Sequence, residues 1–287
     1  MSICVSGRHP LFFGAVTGVD LTAPLSEAEV RDIVAASDEY GVLVFPGQML
    51  SDEDQLRFTH YFGAPQRSIT LHREDYARRL RRDELSDISN LDEHGERLDP
   101  KSVKRQLALS TRLWHSDSSF RKPSGKYTFL AAKRLPPAGG ETEFADMRAA
   151  WDALPESRRP ELLPLHASHS LAYSREISAS PPLDASERAQ FPPTAQPLVR
   201  VHPGSKRRSL CLGMHAEYVI ELPRAQGRAL LDELTAHATQ PKFVHAHEWQ
   251  RGDMVMWDNR CSMHRARPFD ESHVREMRRT TVAEDAL

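Results

Sequence analysis

The sequence is poor in cysteine and lacks long apolar segments. It has three cysteines among 287 residues, Cys4, Cys211 and Cys261, and no C-x-x-C spacing. An odd number of cysteines without that spacing argues against a disulfide framework and is typical of a reducing compartment. No run of about 18 apolar residues is present, which predicts that no helix crosses a membrane. The apolar run at residues 11–13 is too short for the core of a signal peptide, so the sequence predicts a cytoplasmic protein without a membrane partner.

A strong excess of charge is missing as well. The formal net charge is −2, and 27% of the residues are charged. Because no basic field is present, we expect no nucleic-acid partner. The chain also has no internal repeat and no low-complexity tract. Its length is compatible with a single domain spanning residues 1–287, which is the organisation we expect.

Helical patterns come early in the chain, and short strand patterns follow. Ser26 and Glu29 form a capping box before a helix, and the apolar run at 42–45 predicts a buried strand. Residues 64–112 are polar and irregular, and we expect a lid segment within them. Residues 178–197 contain five prolines and predict a long surface loop. Hairpins are expected at 198–214 and 243–257. The order predicts a mainly β protein with flanking helices around a double-stranded β-helix (jelly-roll) core.

The stretch 113–120 contains the first candidate site. If it is an extended strand, His115 and Asp117 share a face, because successive side chains point to opposite faces. A second histidine from elsewhere would complete a 2-His-1-carboxylate triad, which suits non-heme Fe(II) and oxygen chemistry. The chain has 14 histidines, and the His-x-acid pattern also occurs at three of the others. On its own, therefore, the pair favours a solvated polar face.

A second block of polar residues lies downstream at 257–265 and contains His264. Arg275 follows His264 by eleven positions, and Arg279 follows four positions later. In a strand, Arg275 and Arg279 would share a face. The planar guanidinium can bind both oxygens of a carboxylate. A basic surface strand is the alternative interpretation of this stretch.

Taken together, these motifs resemble the Fe(II)- and 2-oxoglutarate-dependent dioxygenases of the taurine dioxygenase family. The resemblance covers nearly the whole chain, and its most specific segments are 113–120, 139–144, 146–150, 237–240 and 256–264. It implies that Fe(II), 2-oxoglutarate and O2 are used, with ascorbate as the reductant in vitro. The residues to which it gives roles are His115, Asp117 and His264 for the metal, Thr142 and Arg275 for the distal carboxylate of 2-oxoglutarate, and Arg279 for an anionic group of the substrate.

Within the family, the resemblance favours members that oxidise an aryloxyacetate such as 2,4-dichlorophenoxyacetate. It implies hydroxylation of the carbon next to the carboxylate, followed by collapse of the hemiacetal to a phenol and glyoxylate, with succinate and CO2 from the cosubstrate. One alternative is a taurine or alkylsulfonate dioxygenase, and a weaker one is a non-catalytic jelly-roll binding protein. The expected partner is a small aryloxyalkanoate, and we expect a homo-oligomer.

The substrate side of the site is less well defined by the sequence. Thr111 and the segment 69–72 depart from the family pattern, which leaves the substrate open but not the reaction type. His202 and His215 have counterparts in the family and are candidate substrate contacts, although buried structural histidines explain them equally well. Cys261 is interpreted as a small buried apolar residue rather than a nucleophile.

Overall fold

The computed structural model describes residues 3–73 and 75–284, and the side chain of His72 lies outside the described part. Within that part, the strands are β1 Cys4–Gly7, β2 Gly14–Thr17, β3 Val42–Phe45, β4 Ser86–Ser89, β5 Gly125–Arg134, β6 Thr142–Asp146, β7 His166–His169, β8 Thr194–Pro197, β9 Val199–Val201, β10 Arg208–Leu210, β11 Ala216–Val219, β12 Val244–His247, β13 Met254–Asp258, β14 Ser262–Ala266 and β15 Glu276–Ala283. The helices are α1 Glu27–Tyr40, α2 Asp52–His60, α3 Val103–Ser110, α4 Met147–Asp152, α5 Arg159–Leu162, α6 Leu171–Ile177, α7 Ala185–Gln190 and α8 Arg224–Ala238.

A seven-stranded sheet forms the largest layer, in the order β1-β2-β3-β13-β5-β15-β4. Its neighbours are antiparallel except for the parallel pair β2 and β3. Helices α1 and α2 cover one face through Ile33 and Phe58, and Phe58 packs edge-on against Phe129 of β5 with ring centroids 5.5 Å apart. The capping box at Ser26 and Glu29 forms as the sequence predicts.

A three-stranded sheet, β12-β6-β14, packs against the other face of the large sheet. Phe144 of β6 is fully buried, with ring centroids 5.4 Å from Trp257 and 5.9 Å from Phe13. This packing places β14, which carries His264, opposite β15, which carries Arg279. The space between the two sheets is therefore where the candidate residues can meet.

A further layer covers the outer side of β6 and β14. It contains a three-stranded sheet β11-β7-β8, a two-stranded sheet β10-β9, and helices α4 and α8. Leu231 and Leu234 on the inner face of α8 are buried in an apolar cluster with Met263 of β14. This layer therefore supports β14, the strand that carries His264, on its outer side.

The prediction of a mainly β protein with flanking helices is confirmed. The prediction of one long loop at 178–197 is wrong, because α7 and β8 lie within it. Asp184 begins α7 with a capping box to Glu187, and β8 pairs with β7, so the prolines lie outside the helix. The predicted hairpin at 243–257 is also wrong, since β12 pairs with β6 whereas β13 pairs with β3 and β5. None of the helices in the described ranges is both long and apolar enough to cross a membrane.

Candidate metal centre and ligand cavity

Two histidines are held together by their backbones. The N–H of His115 donates to the carbonyl of His264 at 3.0 Å, and the N–H of His264 donates to the carbonyl of His115 at 2.8 Å. The ring centroids lie 4.1 Å apart. The expected strand at 113–120 is wrong, since only His115 forms an isolated bridge and Asp117 lies in a turn. Ser118 has a positive φ of 57°, which ends the extended geometry and turns the chain back towards the histidines.

Asp117 is buried and held on three sides. Its Oδ1 accepts from Nη1 of Arg279 at 3.0 Å, its Oδ2 accepts from the hydroxyl of Thr128 at 2.9 Å, and its N–H donates to Oδ1 of Asn259 at 2.9 Å. Burial alone would raise the pKa of Asp117, but the charge of Arg279 and the hydrogen bond from Thr128 hold that pKa well below its usual range. Asp117 is therefore a fixed carboxylate.

Both histidines present the form that can bind a metal. Nδ1 of His115 lies 2.8 Å from the carbonyl of Leu113, so it carries the proton and leaves the lone pair on Nε2. Burial lowers the pKa of His115 and of His264, which favours the neutral rings. Candidate ligand atoms of His115, Asp117 and His264 all lie within 4.8 Å of one another. Two neutral imidazoles and one carboxylate around a common point have the composition of a facial triad.

A cavity of about 290 Å³ opens from these three residues. Its walls come from β15, α3, α6 and residues 66–70. Its lining includes Thr142, Thr111, His215 and Arg279, to which the sequence gives roles in binding the cosubstrate or the substrate. The triad thus faces a space large enough for small organic ligands.

Arg275 is a buried cation in the lining of this cavity. Its Nη2 donates to the carbonyl of Gly140 at 3.1 Å, and its Nε has no hydrogen-bond partner in the described part of the chain. Burial lowers the pKa of Arg275 to about 10. Gly140 has a φ of 78°, and a Cβ there would lie 3.0 Å from Nε, so the glycine leaves room for the guanidinium. A buried guanidinium with an unused donor is suited to an incoming carboxylate.

A model of the family described as "Taurine catabolism dioxygenase TauD, TfdA family" matches residues 6–281. The chain belongs to this family. The alpha-ketoglutarate-dependent 2,4-dichlorophenoxyacetate dioxygenase of Cupriavidus pinatubonensis is 45% identical over 289 residues, covering 100% of each protein. The protein of the same name from Burkholderia sp. (strain RASC) is 44% identical over 282 residues, covering 98% of this chain and 95% of the relative.

One solved structure is similar to the chain over its full length. The crystal structure of AAD-2 in complex with Mn(II) and N-oxalylglycine superimposes with a TM-score of 0.90 at 42% identity, covering 100% of this chain and 99% of that one. The prediction of a dioxygenase of the taurine dioxygenase type is therefore confirmed, and the chain is an enzyme of the TauD/TfdA family.

One predicted substrate contact of this TauD/TfdA chain is misplaced. His202 does not line the cavity but lies fully buried behind it, with Nε2 2.9 Å from Oδ2 of Asp258. Asp258 also accepts from Arg260, and this pairing explains why a histidine is held there. Candidate ligand atoms of His202, Asp258 and Cys261 also lie close together, but the carboxylate of Asp258 is already occupied by two partners. Burial raises the pKa of Cys261, in agreement with its interpretation as a buried apolar residue.

The other predicted substrate contacts differ in how their polar groups are used. The hydroxyl of Thr111 donates to the carbonyl of Ala108 at 2.7 Å. Nδ1 of His215 is buried without a partner among the described residues, and burial lowers the pKa of this ring. Its ring centroid lies 4.7 Å from that of Phe120. His215 is therefore a neutral polar group beside an aromatic wall.

Two residues that the sequence does not identify hold Asp117 in place. Asn259 accepts from the N–H of Asp117 and donates to the hydroxyl of Thr128 at 2.9 Å. Thr128 lies on β5, and the pairing of β5 with β13 brings it to the site. Neither residue is a metal ligand type with characteristic spacing, so the sequence carries no signal for either role.

Proposed function

We propose that the protein is an Fe(II)- and 2-oxoglutarate-dependent dioxygenase that hydroxylates the carbon next to the carboxylate of an aryloxyacetate, with 2,4-dichlorophenoxyacetate as the test substrate. The observation that carries this proposal is a neutral-histidine and carboxylate triad that shares a cavity with the buried, partly unpaired Arg275. The names of the two relatives at 44% and 45% identity support the substrate.

The metal ligands in this proposal are His115, Asp117 and His264. When bound, the metal and 2-oxoglutarate supply the oxidising chemistry, in which O2 yields succinate, CO2 and a hydroxyl group on the substrate. Arg279 and Thr128 keep the carboxylate of Asp117 ionised and oriented through the two hydrogen bonds to its oxygens. Fixing a ligand from its outer side is a general device in metal sites.

Arg275 and Thr142 are proposed to hold the distal carboxylate of 2-oxoglutarate. The Thr142 hydroxyl accepts from Nε1 of Trp249 at 3.0 Å, so its own proton is free to donate towards the cavity. Arg275 offers its unused Nε and a full positive charge. Together they orient the cosubstrate so that its keto-acid end reaches the metal ligands.

The substrate is proposed to occupy the rest of the cavity, near Thr111, His215 and Arg279. Arg279 remains a proposed contact for an anionic substrate group, although part of its charge is already compensated by Asp117. Hydroxylation next to the ether oxygen gives a hemiacetal, which collapses to a phenol and glyoxylate. Residues 66–70 line the cavity and are the proposed lid, whereas β4 is fixed in the large sheet.

The facing sheets are proposed to form a double-stranded β-helix core within one domain, supported by the packing of Phe144 on Trp257. A cytoplasmic location is supported by the three cysteines, none of which is in a disulfide. A homo-oligomer is proposed with it, and size-exclusion chromatography with light scattering tests that part.

The test is a substrate panel with Fe(II), ascorbate and 2-oxoglutarate, in which succinate and phenol are measured together. We expect 2,4-dichlorophenoxyacetate to give phenol and succinate in a 1:1 ratio, since about one cosubstrate is consumed per hydroxylation. Taurine and an alkylsulfonate serve as competing substrates, and omission of 2-oxoglutarate is the control. Preference for a sulfonate would mean that the enzyme catalyses the taurine-type reaction instead. Absence of succinate with every compound would favour a non-catalytic binding protein.

A further inference from the structure

Most basic side chains that line the cavity already have a carboxylate partner. Arg105 pairs with Glu271, for example, and Arg279 pairs with Asp117. Among the described lining residues, the arginines that form no ion pair are Arg121, Arg175 and Arg275. The cavity therefore has cations whose charge is left for a ligand.

The proposed function, on which this inference rests, requires two organic anions in that cavity. One is the distal carboxylate of 2-oxoglutarate, which is assigned to Arg275. The other is the carboxylate of the primary substrate. Arg121 and Arg175 are the unpaired cations that remain for it.

Arg175 is the more deeply buried of the two. It lies on α6 and is 5% exposed, and its Nη1 is buried without a hydrogen-bond partner in the described ranges. Burial lowers the pKa of Arg175 to about 10, so it stays charged at neutral pH. Desolvating a cation without a partner is unfavourable. An anionic ligand in the cavity would offset that cost.

Arg121 has other stabilising contacts. It is only partly buried, its Nη2 donates to the carbonyl of Arg67 at 3.3 Å, and its guanidinium lies 5.2 Å from the ring centroid of Phe191. The positive charge of Arg121 is therefore already partly stabilised by the ring of Phe191. The Nε of Arg121 also has no hydrogen-bond partner among residues 3–73 and 75–284, so Arg121 is the alternative cation that a test must exclude.

The surroundings of Arg175 match the shape of an aryloxyacetate. Leu171, on the same helix, forms an apolar cluster with Phe120, and both residues line the cavity. His215 packs against Phe120 of this wall, with ring centroids 4.7 Å apart, and lines the same cavity as the metal triad. A flat ring against the apolar wall would leave its carboxylate within the reach of a cation on α6.

We propose that Arg175 binds the carboxylate of the aryloxyacetate and thereby selects acids over neutral aryl ethers. Arg279 then acts mainly on Asp117 and the metal. The charge of Glu187 acts on Arg175, but the two form no direct ion pair, because the carboxylate of Glu187 pairs with Arg73 at 3.0 Å.

The experiment compares the binding of 2,4-dichlorophenoxyacetate and of its methyl ester to protein loaded with Mn(II) and 2-oxoglutarate in the absence of O2. The proteins are wild type, Arg175→Gln, Arg175→Lys and, as a matched control, Arg121→Gln. For Arg175→Gln we expect the affinity for the acid to fall at least about 30-fold, while the affinities for the ester and for 2-oxoglutarate stay unchanged. The affinity of Arg175→Lys for the acid should lie between those of wild type and Arg175→Gln, because lysine keeps the charge without the planar fork of the guanidinium. In turnover, Arg175→Gln should release succinate in excess over phenol.

Each other outcome contradicts the inference in its own way. Loss of the acid preference in Arg121→Gln, with Arg175→Gln unaffected, would assign the carboxylate to Arg121. A lower melting temperature of Arg175→Gln with the acid preference retained would mean that Arg175 only balances Glu187. If Arg175→Gln does not fold, an unaltered acid preference in Arg175→Lys combined with full coupling overturns the proposal. Failure of the proposed function is separate, because wild type itself would then release no phenol and show no preference for the acid.

Discussion

Nη1 of Arg279 lies 3.0 Å from Oδ1 of Asp117, so β15 supplies a cation to a carboxylate of the candidate metal centre. This contact fixes the carboxylate from the side away from Thr128. The role of Arg279 is therefore tied to the metal as well as to any substrate anion.

The first prediction concerns Arg279→Gln. Loss of the cation removes a partner that orients Asp117, and changes of this kind cost about 10–100-fold in metal affinity. We expect Mn(II) binding, measured by equilibrium dialysis, to weaken by about tenfold. Arg175→Gln is the control, since Arg175 has no hydrogen bond or ion pair with any of the three ligands. Equal Mn(II) affinities for wild type and Arg279→Gln would confine Arg279 to the substrate.

The second prediction concerns Thr128→Val, which removes a hydroxyl without changing the side-chain shape. The hydroxyl donates to Oδ2 of Asp117 at 2.9 Å, and we expect its loss to weaken Mn(II) binding by about 10–100-fold. Thr280→Val is a matched control, because Thr280 is equally buried and pairs with Thr59 at 2.7 Å without contacting Asp117. Both variants should lose about 1 kcal/mol of unfolding free energy, which denaturant titration measures. An equal loss of Mn(II) affinity in Thr128→Val and Thr280→Val would mean that Thr128 has only a structural role.

The sequence predicts that His115, Asp117 and His264 lie together, but for a partly wrong reason. Alternation in a strand predicts that His115 and Asp117 share a face, whereas in the structure a bridge and a turn at Ser118 bring them together. Metal ligand types are few and their spacing is recognisable, so the grouping could be found without the local geometry. The same is true of Arg275, whose distance from His264 along the chain was the signal.

The sequence does not predict residues whose roles depend on tertiary contacts. Asn259 and Thr128 meet only because β13 pairs with β5, and Arg175 reaches the cavity only because α6 packs beside Phe120. His202 is the opposite case. The resemblance to the family predicts a substrate contact, but the side chain pairs with Asp258 instead. The hairpin at 243–257 failed because two short apolar strands can pair locally or in separate sheets, and periodicity does not distinguish these outcomes.

The third prediction concerns the cosubstrate. Arg275→Gln removes the charge but leaves a hydrogen-bonding group, and loss of one partner of a buried charged pair typically costs about 2–5 kcal/mol. We expect the apparent KM for 2-oxoglutarate to rise at least about 30-fold, with a much smaller change for the aryloxyacetate. Arg265→Gln is the control, since Arg265 pairs with Glu143 and does not line the cavity. An unchanged KM for 2-oxoglutarate would mean that another cation binds its distal carboxylate.

The last prediction concerns the ion pairs that tie residues 79–104 to the large sheet. Asp87 on β4 accepts from Arg79 at 2.9 Å, from Lys104 at 2.8 Å and from Arg278 of β15 at 3.2 Å. Burial on its own would raise the pKa of Asp87, but hydrogen bonds from Arg79 and the charge of Lys104 lower it to about 2. The ionised carboxylate is therefore stabilised in the folded state.

Asp87→Asn should reduce the unfolding free energy by about 3 kcal/mol near neutral pH, because three cations lose a buried partner. The folded-state pKa of Asp87 lies below its usual value of 3.8, so its contribution is complete above about pH 4 and is lost as the pH falls towards 2. Denaturant unfolding of both proteins at pH 7, 5 and 3 should show a constant difference at the two higher values and a smaller one at pH 3. Asp83→Asn is the control, because this partly exposed carboxylate pairs with Arg67 and Arg78, which lie outside the large sheet, and its loss should change stability little at any pH. A difference between wild type and Asp87→Asn that stayed constant down to pH 3 would mean that the loss comes from packing rather than from the charge.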